Sequence, residues 1–223
     1  MATLYIVATP IGNLQDMTLR AIETLKRVDL ILCEDTRVTQ KLLSHYEIKT
    51  PTLSYHQHSK LNKIEYILDI LKQGKNLALV SDAGTPGVSD PGNQLIQKIV
   101  ESLGDSVKIE PTPGASAVTA LASISGFPVD KFLFLGFPPM KNKRKKFFEE
   151  VADSKYSTVF YESPYRIIKT LKELSPLIGE REIVVCRELT KKFETIYRGE
   201  IEEVIKNIEG GEIKGEFAVI VGK

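Results

Sequence analysis

Apolar residues in this chain follow two rhythms. Short unbroken runs, Leu4–Ala8, Leu30–Cys33 and Leu77–Val80, each stop abruptly at polar or small residues. Between them, apolar residues recur at helical spacing: Leu19, Ile22 and Leu25 with Ala21 and Val28; then Leu61, Ile64, Leu68 and Leu71; then Leu95, Ile96, Ile99 and Val100. A run without alternation suits a strand buried on both faces, and the 3.6-residue rhythm suits an amphipathic helix. A further helix is expected from the end of the second run to Tyr46, with short strands at Thr52–Ser54 and Val107–Ile109. Strands alternating with helices predict a mainly parallel sheet with helices on its faces.

Pro111-Thr112-Pro113-Gly114 punctuates this pattern and is the expected domain boundary, giving residues 1–112 and 113–223. Beyond it the alternation resumes. A helix is expected over Ala115–Ser125, with strands at Phe132–Leu135, Thr158–Tyr161, Ile183–Cys186 and Phe217–Val221, and a weaker one at Glu194–Arg198. Ile167, Leu171 and Leu174 mark one helix, and Ile201, Val204, Ile205 and Ile208 another. The fold class is therefore α/β in both halves.

The densest chemistry follows the third run. In LALVSDAGTPGVSDPG (Leu77–Gly92) glycines 84, 87 and 92 lack a Cβ, so a ligand can lie against the main chain there. The C-terminal edge of such a strand is where open α/β sheets bind ligands, although a long structural turn gives the same composition. Asp90 reads as a helix N-cap with Pro91 in the first turn. Three more polar clusters end predicted strands: Glu34–Arg37, Glu162–Arg166 and Arg187–Lys192. In a parallel design they converge with Ser81–Thr85 on one crevice; separately, each is a cap or a surface ion pair.

Several classes are excluded. The first loop, Thr9-Pro10-Ile11-Gly12-Asn13, lacks the glycines of a dinucleotide fingerprint, and there is no P-loop. A ligand without phosphates fits better. S-adenosylmethionine is one, with a sulfonium that carbonyls and carboxylates at a strand edge would attract. There is no Gly-x-Ser-x-Gly elbow. His45, His56 and His58 come without a ligand set, so no metal is expected. Cys33 and Cys186 read as buried, reduced thiols.

The chain has 223 residues and a net charge of +1, so no global basic signal points to nucleic acid. The basic run KNKRKK, Lys141–Lys146, suits a solvated helix start or a phosphate backbone. No run approaches the roughly 20 apolar residues of a membrane span. The start, MATLYIVATP, lacks the basic n-region of a signal peptide, and a cytoplasmic location is expected.

A series of segments, in order along the chain, resembles the tetrapyrrole methylase family of S-adenosylmethionine-dependent enzymes. They are VATPIGNLQDMTLRA from Val7, CEDTR from Cys33, SDAGTPGVSDPG from Ser81 and PTPGASAVTALASISG from Pro111. FLGFPP from Phe134, YESPYR from Tyr161, RELTKKFE from Arg187 and GEFAVIVG from Gly215 continue the series. SDAGTP departs from the Gly-Asp-Pro type of loop associated with porphyrinoid substrates and points to the ribosomal branch of the family. The resemblance implies two α/β domains with the cofactor in the cleft between them, usually in a homodimer. It implies methyl transfer to the ribose 2′-hydroxyl of a cytidine in the 16S rRNA decoding centre of the small ribosomal subunit. By position, Pro10, Gly12, Asp82, Ala83, Gly84 and Thr85 would bind S-adenosylmethionine, Ser116 and Ala117 would lie near its methionine end, and Phe160 and Tyr161 would approach from the second domain.

A ribose hydroxyl is a poor nucleophile, so a proton acceptor is needed. The candidates are Glu162, Glu188 and a neutral Lys191. Arg37, Arg166 and Arg187 would grip RNA phosphates bidentately, with Lys143, Arg144 and Lys145 as further phosphate contacts. A porphyrinoid methyltransferase of the same fold and a non-catalytic nucleoside- or RNA-binding module remain as alternatives.

Overall fold

A computed structural model describes residues 1–56, 61–90 and 92–223. The chain divides into two compact units, Met1–Ser116 and Ala117–Lys223. In the first, β1 (Ala2–Val7), α1 (Leu19–Arg27), β2 (Leu30–Cys33), α2 (Thr36–His45), β3 (Thr52–Ser54), α3 (Leu61–Lys72), β4 (Leu77–Leu79), α4 (Asn93–Leu103) and β5 (Val107–Thr112) alternate along the chain. Their sheet has the order β3-β2-β4-β1-β5, and every pairing is parallel. Both faces are covered, which is why the strands read as unbroken apolar runs. Leu77 and Leu79 face one cluster with Leu4, Ile67, Leu71 and Leu95. Ala78 and Val80 face the other, with Leu25, Ile31 and Leu43.

Pro111 lies inside β5, opposite Ile6. It is tolerated because β5 is an edge strand and its missing N–H breaks no ladder. Pro113–Ser116 go with the first unit. A Cβ on Gly114 would lie 3.0 Å from the Ala8 side chain, so this segment runs close against the end of β1. Helix α4 begins at Asn93 with Gly92 as its N-cap and no side-chain cap bond, so Asp90 is not the cap. Pro91 lies outside the described residues.

The second unit holds α5 (Ala117–Ser125), β6 (Phe132–Phe134), α6 (Arg144–Asp153), β7 (Ser157–Glu162), α7 (Ile167–Ile178), β8 (Glu182–Arg187), β9 (Thr195–Glu200), α8 (Ile201–Glu209) and β10 (Phe217–Val221). Its sheet, β6-β7-β10-β8-β9, is mixed. Only β6 and β7 pair in parallel; β10 runs antiparallel to both β7 and β8, and β9 antiparallel to β8. The expectation of a mainly parallel sheet is therefore corrected for this unit: the last strand inserts centrally, between two strands that precede it. Phe160, Phe147, Leu171, Val204 and Val219 build the core on one face, and Leu121, Val159, Val184 and Ile220 the core on the other. Among the described residues no helix is long and apolar enough to cross a membrane.

Candidate functional site

In the first unit the loops leaving β1 and β4 are fastened together by their backbones. Thr9 N–H donates to the Gly84 carbonyl at 2.9 Å, and Gly84 N–H donates back to the Thr9 carbonyl at 3.1 Å. The Thr9 hydroxyl donates to the Ser81 carbonyl at 3.2 Å, and the Ser81 hydroxyl reaches the Ala83 carbonyl at 3.2 Å. The Thr85 hydroxyl donates to the Ala115 carbonyl at 3.2 Å. Pro10, Gly12, Asp82, Ala83, Gly84, Thr85 and Ser116 thus belong to one cluster of strand-end segments. Ala117, which opens α5, belongs to the second unit. Gly84 has φ +82°, and a Cβ there would lie 3.4 Å from Ile11, so the turn needs glycine conformationally and leaves little room for a side chain. A cavity of about 210 Å³ opens here, lined by Thr9, Pro10, Gly12, Leu14, Ser81 and Asp82 among others.

Beside it lies a second, more open cavity of about 390 Å³, whose lining includes Glu34, Asp35, Arg37, Ser54, His56 and Asp82. Its carboxylates crowd one another. The Glu34 carboxyl titrates above its ordinary range, first because of burial and then because of the Asp82 charge. Asp90 is raised to about 6 by burial, then by Glu34 and Asp82, against a hydrogen bond from Ser81. Asp35 is held well below the carboxylate range by hydrogen bonds from Arg37. His56 is part of this lining; His58 lies outside the described residues.

In the second unit the charges at the strand ends are matched and internal. Glu162 is buried and accepts from Ser163 N–H at 2.7 Å, the Thr170 hydroxyl at 2.6 Å and Arg166 Nη2 at 2.7 Å. Arg144, also buried, donates to Glu173 at 2.7 Å, Thr170 at 2.7 Å and the Pro139 carbonyl at 3.1 Å. Arg166 donates to the Pro138 carbonyl at 3.0 Å. Arg187 donates to the carbonyls of Lys214 at 2.6 Å and Phe193 at 3.1 Å, and to Glu212 at 3.2 Å.

These contacts revise the roles expected from sequence. Glu162 is a buried counter-ion whose oxygens are occupied, so it is withdrawn as a proton acceptor. Arg144, Arg166 and Arg187 spend their donors inside the fold and are withdrawn as phosphate grips. Arg187 pairs with Glu212, not with Glu188. Lys191 is not neutral: burial opposes its charge, but hydrogen bonds to Glu188 at 2.8 Å and Glu216 at 2.9 Å outweigh that and raise its pKa. Glu188 shows the converse balance. Burial pushes it up, yet donors from Lys191 and the Glu216 N–H hold it below its ordinary value. Arg37 is exposed and pairs with Asp35 at 2.6 Å, and Lys143 and Lys145 are exposed at the start of α6. Phe160 is wholly buried, its ring against Phe147 and its backbone in the ladder opposite Val219, while Tyr161 sits on the opposite face against Phe134 and Phe137.

Sequence reasoning assigned Asp90 to a cap and gave Glu34 no individual role. The signal for both was their place in polar clusters ending adjacent strands, which the β2–β4 pairing brings together. Cys33 and Cys186 are free and buried, and burial pushes the Cys186 thiol up to about 11, so neither is a ready nucleophile.

Comparison with known proteins gives this arrangement a family. Residues 3–205 match the family described as Tetrapyrrole (Corrin/Porphyrin) Methylases, and the chain belongs to it. The fold agrees: the chain is similar to the methyltransferase CobJ, with a TM-score of 0.73 at 18% identity over 100% of this chain and 95% of that one. It is likewise similar to diphthine synthase, with a TM-score of 0.76 at 12% identity over 100% and 90%. In sequence it is much nearer to proteins named Ribosomal RNA small subunit methyltransferase I. Identity is 46% to that of Halalkalibacterium halodurans, over 98% of this chain and 75% of the relative. It is 47% to that of Bacillus subtilis, over 99% and 75%, and 42% to that of Thermotoga maritima, over 99% and 98%.

Proposed function

We propose that this protein is an S-adenosylmethionine-dependent methyltransferase that modifies the ribose 2′-hydroxyl of a cytidine in the decoding centre of 16S rRNA. The observation that carries the reading is identity of 42–47% along nearly the whole chain to proteins named for small-subunit rRNA methylation. Such a substrate places the enzyme in the cytoplasm with ribosomal subunits, and assembly as a homodimer is part of the same reading.

The residues present fit the cofactor. The segment Ser81–Gly92 contains no lysine or arginine, and its carbonyls lie near Asp82, Asp90 and Glu34. That is a donor set for a cationic ligand rather than for a phosphate. Pro10, Gly12, Asp82, Ala83, Gly84 and Thr85 would hold it largely through backbone atoms, with Ser116, Ala117, Phe160 and Tyr161 completing the set by family position. S-adenosylmethionine, when bound, supplies an electrophilic methyl group. The chain's own part is to fix the acceptor oxygen in line and take its proton, and much of the rate comes from that fixed geometry.

Of the three proton-acceptor candidates, Glu188 alone is left. It is held as a carboxylate while Lys191 is held as an ammonium that orients it. Glu188 and Thr190 also adopt φ of +53° and +67°, strained values for non-glycine residues that cluster at functional loops. Glu188→Gln is expected to lower turnover by about 10²–10⁴-fold with an unchanged fold; full turnover removes it from this role. Arg37 is the exposed guanidinium that can still meet a phosphate, alongside Lys143 and Lys145.

The test of the activity is incubation with methyl-labelled cofactor and small subunits from cells lacking the enzyme, then alkaline hydrolysis of the RNA. A 2′-O-methyl blocks cleavage, so a labelled alkali-resistant dinucleotide is expected. Label that falls to mononucleotides would move the methyl to a base. No label in RNA, with cofactor bound, would favour a small-molecule substrate.

A further inference from the structure

The second unit displays exposed aromatic side chains to which the site described above gives no role toward a ligand, although Phe137 also packs on Tyr161. Tyr165 is 96% exposed, Phe193 63% and Phe137 52%, with Met140 in the same loop as Phe137 at 79%. Each belongs to a loop that follows a strand: Phe137 and Met140 follow β6, Tyr165 follows β7 and Phe193 follows β8. These three strands point the same way. β6 is parallel to β7, and β7 and β8 are both antiparallel to β10, with Glu162 and Arg187 each opposite Phe217. The three loops therefore leave from one edge of one sheet.

The buried Arg144 and Arg187 and the half-buried Arg166 hold that edge in place. Arg144 takes the Pro139 carbonyl, Arg166 the Pro138 carbonyl and Arg187 the Phe193 carbonyl. Burying guanidinium groups is costly unless they are paired and hydrogen-bonded, as these are. What the arrangement yields is fixed backbone beneath exposed rings. Around them lie the exposed lysines Lys141, Lys143, Lys145 and Lys192, with Lys145 within 3.6 Å of Glu149 and Lys192 Nζ 5.5 Å from the Phe193 ring centre. The acids of the same loops are engaged: Glu188 and Glu216 with Lys191, and Glu194 with the Thr190 N–H.

We propose that this edge is a stacking platform for single-stranded RNA, on which Phe137, Tyr165 and Phe193 take unpaired bases while the lysines take phosphates. Separate rings in polar loops among exposed lysines suit a polyanion with exposed π faces better than a contiguous apolar partner. The inference rests on the rRNA reading above and deepens it by naming the form of RNA engaged.

The test uses the full chain and fluorescence anisotropy with a labelled, unstructured pyrimidine-rich RNA strand and the matching RNA duplex. Wild type is expected to prefer the strand. Tyr165→Ala and Phe193→Ala are each expected to weaken strand binding about tenfold, with the salt slope unchanged, whereas Tyr165→Phe binds as wild type. Lys143→Gln with Lys145→Gln should instead flatten the salt slope. Equal affinity for strand and duplex, or full affinity in the double variant Tyr165→Ala/Phe193→Ala, would overturn the platform. So would conversion of a dimer to a monomer in that variant with RNA affinity intact, since the face would then belong to a second copy. The rRNA reading fails separately, if wild type leaves small-subunit RNA unlabelled in the methylation assay.

Discussion

The two units end their strands in polar clusters of similar composition, yet the clusters behave in opposite ways. In the first unit burial, with the Asp82 charge added to it, helps to raise both Glu34 and Asp90, and His56 partly opposes this at Glu34. In the second, Glu162 is surrounded by Arg166, Thr170 and the Ser163 N–H, with Arg144 at 3.9 Å. The first edge gathers carboxylates that its neighbouring cations only partly offset, which suits it to receive a cationic ligand. The second has spent its buried charge on architecture and offers a partner its rings and surface lysines instead.

Four substitutions would break or sharpen this contrast. Glu162→Ala strands a buried arginine network and is expected to cost about 3–5 kcal/mol, read by urea unfolding. A loss below about 1 kcal/mol would mean that the network is not structural. Gly84→Ala forces a side chain into φ +82° against Ile11, at about 1–2 kcal/mol, and cofactor affinity should fall with it; unchanged affinity would detach this turn from the ligand. Asp90→Asn should act with the opposite sign. A carboxyl whose folded pKa is raised to about 6 binds its proton more tightly folded than unfolded. Stability therefore falls as pH rises from about 4 to about 6 and stays lower above that. The variant should thus be more stable than wild type at pH 7.5 and no more stable at pH 4, in paired unfolding curves; a gain at both pH values would point to packing rather than charge. Smallest of all, Arg37→Gln removes an exposed pair and should leave the thermal midpoint unmoved while weakening RNA binding.

Legibility in the sequence followed burial. Strands of the first sheet are covered on both faces, so Leu30–Cys33 and Leu77–Val80 announced themselves as uninterrupted runs. Strand β9 is a partly exposed edge strand, and its pattern was correspondingly faint. The insertion of β10 between β7 and β8 was invisible, because local periodicity carries no information about strand order. Within the site, glycines and acids near 84 were readable because loop composition is a local property. The fate of the arginines was not. Arg144 finds Thr170 and Glu173 across 26 and 29 residues of sequence, and a guanidinium looks the same on paper whether it meets solvent or a buried carboxylate. The basic run Lys141–Lys146 concealed this further: Arg144, Phe147, Phe148 and Val151 form the buried face of α6, while the neighbouring lysines stay outside.

The reciprocal pair of hydrogen bonds between Thr9 and Gly84 carries a consequence for timing and entropy. It lies beyond the ends of β1 and β4, in segments whose composition alone suggests mobile loops. Two main-chain bonds there act as a clasp, so the amides of residues 9 and 84 should exchange with deuterium as slowly as those of the strands they follow, not at the rate of open loops. A site already clasped in the free protein has little disorder left to lose when its ligand arrives, and more of the intrinsic binding energy can appear as affinity.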